Sequence, residues 1–445
     1  MSEVTELRGR RVVVLGLGRF GGGVGVTRFA CERGAASVTV VDEGDPGTLD
    51  EAVAQLAGLE PVELVLGPDA AGPALLEEAD LLVVNPAVKP GHPLLDAAES
   101  RSVPVTTEIN LLVERLDRAR VIGVTGTAGK STTASLIAHL LNAAGRVAHL
   151  GGNLGGSLLG RVDGIGPEDW VVLELSSFML DRLDAIAWSP RIAVVTTFAP
   201  NHLDWHGDAE AYRAAKQVLL DHQSLAEGDV CVLGPSAAEA FRPFVPQVMI
   251  DRRRLDVSGL SLPGEHNREN AGLAVRAVAA AGVDPAEACR HLTSFTGLPH
   301  RLQLVADVGG VRWFNDSKAT TPEAAMLALR AFPHGTTHLI CGGADKGANL
   351  MPLGALAAAV CRAVYTIGDT GDRLAAAAQL AAGSGDPPRQ VDVLRCGDLD
   401  TAVEEVKARV HIGDAVLLSP GCASWDQFAN YERRGERYMA LCPRA

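Results

Sequence analysis

The chain carries 54 acidic against 40 basic side chains over 445 residues, a formal net charge of −14. That balance speaks against nucleic acid as a partner, because phosphates need clustered Lys and Arg, and no basic run reverses it. With 47% hydrophobic and 21% charged residues the chain is folded rather than disordered, and its length implies roughly two to four domains.

Aromatic residues make up only 4%, so the cores must be aliphatic. The eight cysteines, at 31, 231, 289, 341, 361, 396, 422 and 442, form no CxxC pair. They read as small buried hydrophobes in a reducing compartment, not as a disulfide framework. A polar start, MSEVTELRGRR, and the lack of a long apolar run predict a soluble cytoplasmic protein with no membrane insertion.

In chain order, Arg11–Leu15 is a β-branched run read as a buried parallel strand. A glycine loop, a helical stretch, a strand over 37–41 ending at Asp42, and a third strand over 80–84 follow, giving a doubly wound sheet. A second block starts near Val103, with strands at 121–124, 170–173 and 192–196 and a helix through Leu136, Ile137, Leu140 and Leu141. A third block begins around 297–301. Its strands, over 311–314, 338–341, 364–367, 391–395 and 415–418, alternate with Ala-rich helices. Thr321-Pro322-Glu323 is a helix start: a capping Thr, Pro at the first helical position, and an acid in the first turn.

Two glycine loops carry chemistry. Gly16-Leu-Gly18-Arg-Phe-Gly21 after the first strand, with Asp42 beyond it, fits a dinucleotide, a UDP-type diphosphate, or a purely structural turn. Gly126-Thr127-Ala128-Gly129-Lys130-Ser131-Thr132 is the stronger signal, since it follows a strand and opens a helix. Lys130 can reach the β- and γ-phosphates of a nucleotide, and Ser131 or Thr132 can hold Mg²⁺. The loop is not a strict phosphate-loop consensus, having Val124 at the position of the first glycine. Glu174 ends a strand, the usual place for a Mg²⁺ ligand. Asn201-His202-Leu-Asp204-Trp-His206 offers further ligands, for a second Mg²⁺ at His202 or for a structural zinc.

Ten segments in one order then resemble the Mur ligases, in particular their D-glutamate-adding branch. They are TGTAGKST at 125–132, GGNLG at 151–155, LELSSF at 173–178, NHLDWH at 201–206, YRAAK at 212–216, GEHNREN at 264–270, GLPHR at 297–301, NDSKAT at 315–320, GGADKG at 342–347 and LSPGCASWDQF at 418–428. The resemblance implies an α/β chain of three domains: a Rossmann-like UDP-binding domain (1–102), a central P-loop ATPase with a mostly parallel sheet (103–298), and a Rossmann-like amino-acid-binding domain (299–445). It also implies ATP-dependent addition of D-glutamate to UDP-N-acetylmuramoyl-L-alanine through an acyl phosphate, with two Mg²⁺ ions and no obligatory protein partner.

By the same resemblance, Lys130 and Ser131 serve the phosphates and a first Mg²⁺ with Glu174, and His202 holds the second. Lys216 matches a lysine that family members carbamylate, which would make it a Mg²⁺-supporting anion. Asn270, Arg301 and Asp316, with the loop 126–132, would contact ATP. Arg19, Phe20, Gly21 and Asp42 would contact the uridine diphosphate, and Asn153 and Ser176 the sugar-peptide part. Lys318, Thr320, Lys346, Ser424 and Phe428 would hold D-glutamate. Departures from the family pattern are Ala128 for Asn, Met179 for Gln, Asn85-Pro86-Ala87 for Ser-Pro-Gly, and Thr321 for Asn. Alternatives are a related ligase for another amino acid or a folate-type acceptor, an NAD-dependent oxidoreductase using residues 16–21, and a non-catalytic nucleotide-binding protein.

Overall fold

The computed structural model describes residues 6–17, 22–44, 49–250, 255–384 and 391–444. Its contacts divide the chain into two units. One holds the residues up to Asp256 together with Asn270–His291, and the other holds Val257–Glu269 and the residues from Leu292 onward.

The first unit contains two five-stranded parallel sheets. In the first, β1 (Arg11–Leu15), β2 (Ser37–Asp42), β3 (Val62–Leu66), β4 (Leu81–Val84) and β5 (Val105–Thr106) lie in the order β3-β2-β1-β4-β5. In the second, β6 (Val121–Thr125), β7 (Ala148–Gly152), β8 (Trp170–Glu174), β9 (Ile192–Val195) and β10 (Val230–Leu233) lie in the order β10-β9-β6-β8-β7. The central strands are continuous apolar runs buried along their length, as both-face burial in a parallel sheet requires. One apolar cluster runs from Val12, Phe29 and Val38 through Leu112 to Val121, Leu173 and Leu219, so the two sheets share a core.

The second unit holds a six-stranded sheet. β11 (Gln303–Val308), β12 (Val311–Asn315), β13 (Thr337–Gly342), β14 (Cys361–Ile367), β15 (Asp392–Gly397) and β16 (Ala415–Leu418) take the order β11-β12-β16-β13-β14-β15, with only β11 antiparallel in its pairing. Helices cover both faces of this sheet through two separate apolar clusters. Every expected strand is present, with ends shifted by a few residues. The expected third strand is the fourth in chain order, because β3 was not foreseen, and β5, β7, β10 and β11 were also missed. These are short, glycine-bearing or edge strands, in which apolar periodicity is weak. The predicted helix start is observed: Thr321 Oγ1 accepts the Ala324 N–H, with Pro322 opening the turn.

In each sheet the connections reverse direction about one strand: β1 lies between β2 and β4, β6 between β8 and β9, and β16 between β12 and β13. In doubly wound sheets ligands bind beyond the carboxyl ends of strands at such reversals. None of the eight cysteines forms a disulfide, and five are buried. No helix among the described residues is long and apolar enough to cross a membrane.

The helices Met351–Val360 and Gly371–Ser384 cross closely at Gly354, where an added Cβ would stand 2.5 Å from Ala377 Cβ and 3.0 Å from the Ala377 and Ala378 backbone. Gly354→Ala gains up to about 1 kcal/mol in helix propensity, while forcing the helices apart costs about 1–3 kcal/mol. A net loss is expected, seen as a lower denaturant midpoint for the variant.

Candidate active site

The loop between β6 and the helix Lys130–Ala143 is built by two glycines that no other residue could replace cheaply. Gly126 has φ +144°, and a Cβ there would fall 2.0 Å from Thr196 Oγ1. Gly129, at φ +83°, would place a Cβ 2.4 Å from Asn270 Oδ1. Threonines from the end of β9 hold the loop's outer arm: the Thr127 N–H donates to Thr197 O (2.9 Å) and the Ala128 N–H to Thr197 Oγ1 (2.9 Å). Ala128 therefore has its peptide fixed from the facing strand end, although it lacks the family's asparagine side chain. The first turn of this helix, opening at Lys130, presents its N–H groups toward the loop and concentrates positive potential there. Lys130 Nζ folds back onto Gly126 O (3.0 Å) and Thr127 O (3.1 Å). Asn270 is buried beside the loop and accepts from Thr133 Oγ1 at 3.3 Å.

Lys216 is the unusual charge. It projects from the helix Ala209–Asp221, is 1% exposed, and donates to Gly126 O (3.0 Å) and Thr125 Oγ1 (3.4 Å). Its Nζ also lies 4.8 Å from the centre of the Tyr212 ring. Burial, with Lys130 adding repulsion, lowers its pKa to about 7, against the partial opposition of Glu174. At neutral pH much of this amine is unprotonated, and so nucleophilic.

Glu174 ends β8 and is 1% exposed. Its Oε1 accepts from Asn153 Nδ2 at 3.1 Å, while Oε2 is buried with no hydrogen-bond partner among the described residues. A buried carboxylate oxygen left so is costly, by several kcal/mol when ionised, and fits a site made for a cation. His202 sits at φ +53°, in the left-handed region, with its N–H on Asn201 Oδ1 (2.8 Å). Such a conformation costs about 1–3 kcal/mol, a type of strain that gathers at functional sites. Its ring meets Phe178 edge-on at 5.1 Å. Burial, then Lys130 and Lys216, push its pKa down and favour the neutral, metal-ligating imidazole.

His206 is occupied elsewhere: it stacks on Phe178 and its Nε2 meets Ser177 Oγ at 2.9 Å. Asp204 engages through its backbone carbonyl, which accepts from Lys89 Nζ (3.0 Å). Among the described residues no three His, Cys, Asp or Glu side chains gather into a ligand cluster, which leaves the zinc alternative without support. Mg²⁺ does not require one, since it keeps waters and takes substrate phosphates alongside one or two carboxylates.

The first sheet's loop after β4 is fastened to this region. Trp205 Nε1 donates to Ala87 O (3.0 Å), Arg182 Nη2 to Val88 O (3.0 Å), and Lys89 to Asp204 O. Trp205 also packs on Phe178 at 4.9 Å, so the turn that follows His202 is tied to the neighbouring sheet. Asp42, at the end of β2, accepts the Gly44 N–H at 2.8 Å. Ser176 Oγ caps its helix by accepting the Met179 N–H at 3.2 Å. Arg19, Phe20 and Gly21 lie outside the described residues.

In the second unit the named residues lie on loops after the carboxyl ends of β12, β13 and β16, and in the turn before β11. Asp316 is buried, accepting from Ser419 Oγ (2.7 Å) and the Leu302 N–H (3.1 Å), and burial raises its pKa to about 7. Arg301 opposes that rise electrostatically. Lys318 lies over the Tyr431 ring at 5.7 Å and Lys346 over Trp425 at 4.3 Å, the indole being 62% exposed. The Thr320 N–H donates to Lys318 O. Ser424 is buried and its carbonyl accepts from the Gln427 and Phe428 N–H groups, while the Phe428 ring packs at the core's edge. Thr196, Thr197, Tyr212 and Trp205 were not foreseen as contributors. Only proximity in the fold reveals them, although Tyr212 and Trp205 lie inside recognised segments.

Three family models match the chain in succession: the Mur ligase MurD-like N-terminal domain at 10–107, the Mur ligase middle domain at 124–234, and the Mur ligase glutamate ligase domain at 300–422. The UDP-N-acetylmuramoylalanine–D-glutamate ligase of Symbiobacterium thermophilum is 36% identical, over 97% of each chain. The enzyme of that name from a Roseiflexus species is 38% identical, over 98% of this chain and 99% of its own. Among solved structures, the UDP-N-acetylmuramate–alanine ligase MurC of Thermotoga maritima shares the fold, with a TM-score of 0.55 and 16% identity over 97% of this chain and all of its own.

Lys216 makes a measurable demand on stability. Its pKa of about 7 in the fold lies below the ordinary lysine value of 10.5, so the unfolded chain holds the proton between these two pH values while the folded chain does not. The cost of burying Lys216 is therefore complete below pH 7 and fades as the pH rises to 10.5. Lys216→Met should gain stability relative to the parent at pH 6, and that advantage should shrink by on the order of 4 kcal/mol by pH 10. Denaturant titrations of both chains across this range measure it.

Proposed function

The chain belongs to the Mur ligase family, and from that membership we propose that it joins D-glutamate to UDP-N-acetylmuramoyl-L-alanine at the expense of ATP, in cytoplasmic peptidoglycan precursor synthesis. The observation that carries the chemistry is the gathering of Lys130, Lys216, Glu174 and His202 around one phosphate-type loop, with no activated serine or cysteine beside them among the described residues. That inventory suits phosphoryl transfer, which needs charge neutralisation and positioning more than covalent help.

The proposed division of labour follows the three domains, taken as 1–102, 103–298 and 299–445. Arg19, Phe20, Gly21 and Asp42 contact the uridine diphosphate, and Asn153 and Ser176 the muramoyl-alanine part. The loop 126–132, Asn270, Arg301 and Asp316 contact ATP. Lys318, Thr320, Lys346, Ser424 and Phe428 hold D-glutamate. The alanyl carboxylate attacks the γ-phosphorus of ATP, ADP leaves, and an acyl phosphate remains. The amine of D-glutamate attacks its carbonyl carbon, the tetrahedral intermediate collapses, and inorganic phosphate departs as the amide forms. Lys130 and the helix N–H groups neutralise charge on the transferring phosphoryl group.

Two Mg²⁺ ions would be held by Ser131 with Glu174 and by His202, adding Lewis-acid neutralisation of the phosphate oxygens. Glu174 Oε2, without a hydrogen-bond partner among the described residues, supports a cation there. Lys216 would support the second ion as a carbamate: the ammonium first gives up one proton, and the free amine then adds to carbon dioxide and loses a second, leaving a carboxylate in place of a buried cation. A pKa of about 7 leaves enough free amine for that addition at neutral pH.

Phosphate release is the test of the reaction. With ATP, Mg²⁺ and UDP-N-acetylmuramoyl-L-alanine, D-glutamate should support it and the product should gain one glutamyl unit by mass. L-Glutamate, D-aspartate, meso-diaminopimelate and L-lysine should not. Release with another of these amines keeps the ligase chemistry and removes the D-glutamate assignment; release with none removes both. For Lys216, carbon-13 NMR in labelled bicarbonate should show one carbamate resonance that Lys216→Arg lacks, and absence of that resonance from the parent contradicts the carbamate.

A further inference from the structure

Arg434, on the helix Tyr431–Leu441, is 1% exposed and among the largest fully buried side chains. Its guanidinium donates from Nε to Ser317 Oγ (3.0 Å), from Nη2 to Ser317 O (3.0 Å) and Cys422 O (3.1 Å), and from Nη1 to Ala423 O (3.0 Å). All these acceptors are neutral, and the nearby acid Asp426 acts on Arg434 only through its charge, second to the desolvation of burial. Burying a guanidinium on neutral acceptors is a poor way to stabilise a core, since apolar side chains of similar volume fill the space at no desolvation cost. What Arg434 supplies is geometry: a rigid planar fork with five donors fixes several acceptors at once.

The acceptors lie on two different loops. Ser317 follows β12, and Cys422 and Ala423 follow β16. A third loop, after β13, closes on the same point. The Ala344 N–H donates to Ala423 O (3.0 Å), and a Cβ on Gly343, at φ +146°, would stand 2.1 Å from Ala423 O and 3.0 Å from Arg434 Nη1. These three loops carry Lys318 and Thr320, Lys346, and Ser424 and Phe428. The helix start is locked to the first loop as well, since Ser317 Oγ donates to Tyr431 O at 2.8 Å.

We propose that Arg434 is a positioning residue for the amino-acid substrate: it sets the spacing of the three loops that hold D-glutamate. The inference rests on the site assignment made above. D-Glutamate presents two carboxylates and an amine at fixed separations, so binding depends on cationic and hydroxyl groups standing at matching distances. Asp316 is held independently by Ser419 and the Leu302 N–H, so contacts to ATP should not follow Arg434.

The test compares Arg434→Met, Arg434→Lys and Ser317→Ala with the parent in the full chain, measuring kcat, the KM for each of the three substrates, and thermal unfolding. Arg434→Met should raise the KM for D-glutamate about tenfold or more, leaving those for ATP and the UDP precursor within about twofold. Arg434→Lys should recover part of the loss. Ser317→Ala, which removes one acceptor hydroxyl, should raise the same KM about two- to fivefold. A merely structural role lowers kcat with the folded fraction and leaves KM alone. An unchanged KM for D-glutamate in Arg434→Met, or equal rises for all three substrates, overturns the proposal. If Arg434→Met does not fold, an unchanged KM in Ser317→Ala overturns it. A parent chain without D-glutamate-dependent turnover overturns the site assignment itself.

Discussion

The side-chain nitrogen of Lys216, buried against the carbonyl of Gly126 and the hydroxyl of Thr125, is the constraint around which the first unit is arranged. Neither acceptor carries charge, so Lys216 is held at a cost that hydrogen bonding offsets only in part. Lys130 adds to that cost by repulsion, and Glu174 relieves some of it. The surroundings are specified accordingly. Gly126 must be glycine because a Cβ there would fall 2.0 Å from Thr196 Oγ1, Thr196 and Thr197 hold the loop from the neighbouring strand, and Tyr212 lays its ring near the amine. Lys130 at the helix start suits this loop to anions, and Glu174 Oε2, buried with no hydrogen-bond partner among the described residues, suits it to a cation.

The second unit applies the same logic with a different device. Loops after β12, β13 and β16 leave the sheet at one edge, because these strands are parallel. Their mutual spacing is imposed by one buried guanidinium and by glycine at 343, not by an apolar core, which would hold the strands but not the loop tips. In both units the edge that carries the proposed site residues is thus made of buried polar contacts, and the aliphatic clusters beneath provide rigid strand ends.

Much of this was legible in the residues. Buried parallel strands such as Val121–Thr125 and Ala415–Leu418 announce themselves as unbroken apolar runs, and Gly129-Lys130-Ser131 following one marks a helix start suited to phosphate. The carboxylate at Glu174 was legible for the same reason, as a charge at the end of an apolar run. Strands such as Ala148–Gly152 were not, because glycine and a half-exposed edge erase their periodicity. The burial of Lys216 was invisible too: in the sequence it is one lysine on an amphipathic helix, and an ordinary surface lysine looks identical. Arg434 lies outside every recognised segment, and its partners are 11 to 117 positions away, so only the fold brings them together. The oxidoreductase alternative arose from one glycine pattern read alone, and full-length relatives that are ligases remove its basis.

On the proposed reaction an oxygen of the acceptor carboxylate attacks the γ-phosphorus of ATP, not the α-phosphorus, and no protein nucleophile carries the phosphoryl group. Oxygen-18 placed in both carboxylate oxygens of the alanyl residue follows that oxygen directly. Mass analysis of the products of a D-glutamate-dependent turnover should find one labelled oxygen in inorganic phosphate, one in the new amide carbonyl, and none in ADP. Label appearing in AMP, or phosphate carrying no label, would contradict the acyl phosphate and with it the reading of the whole site.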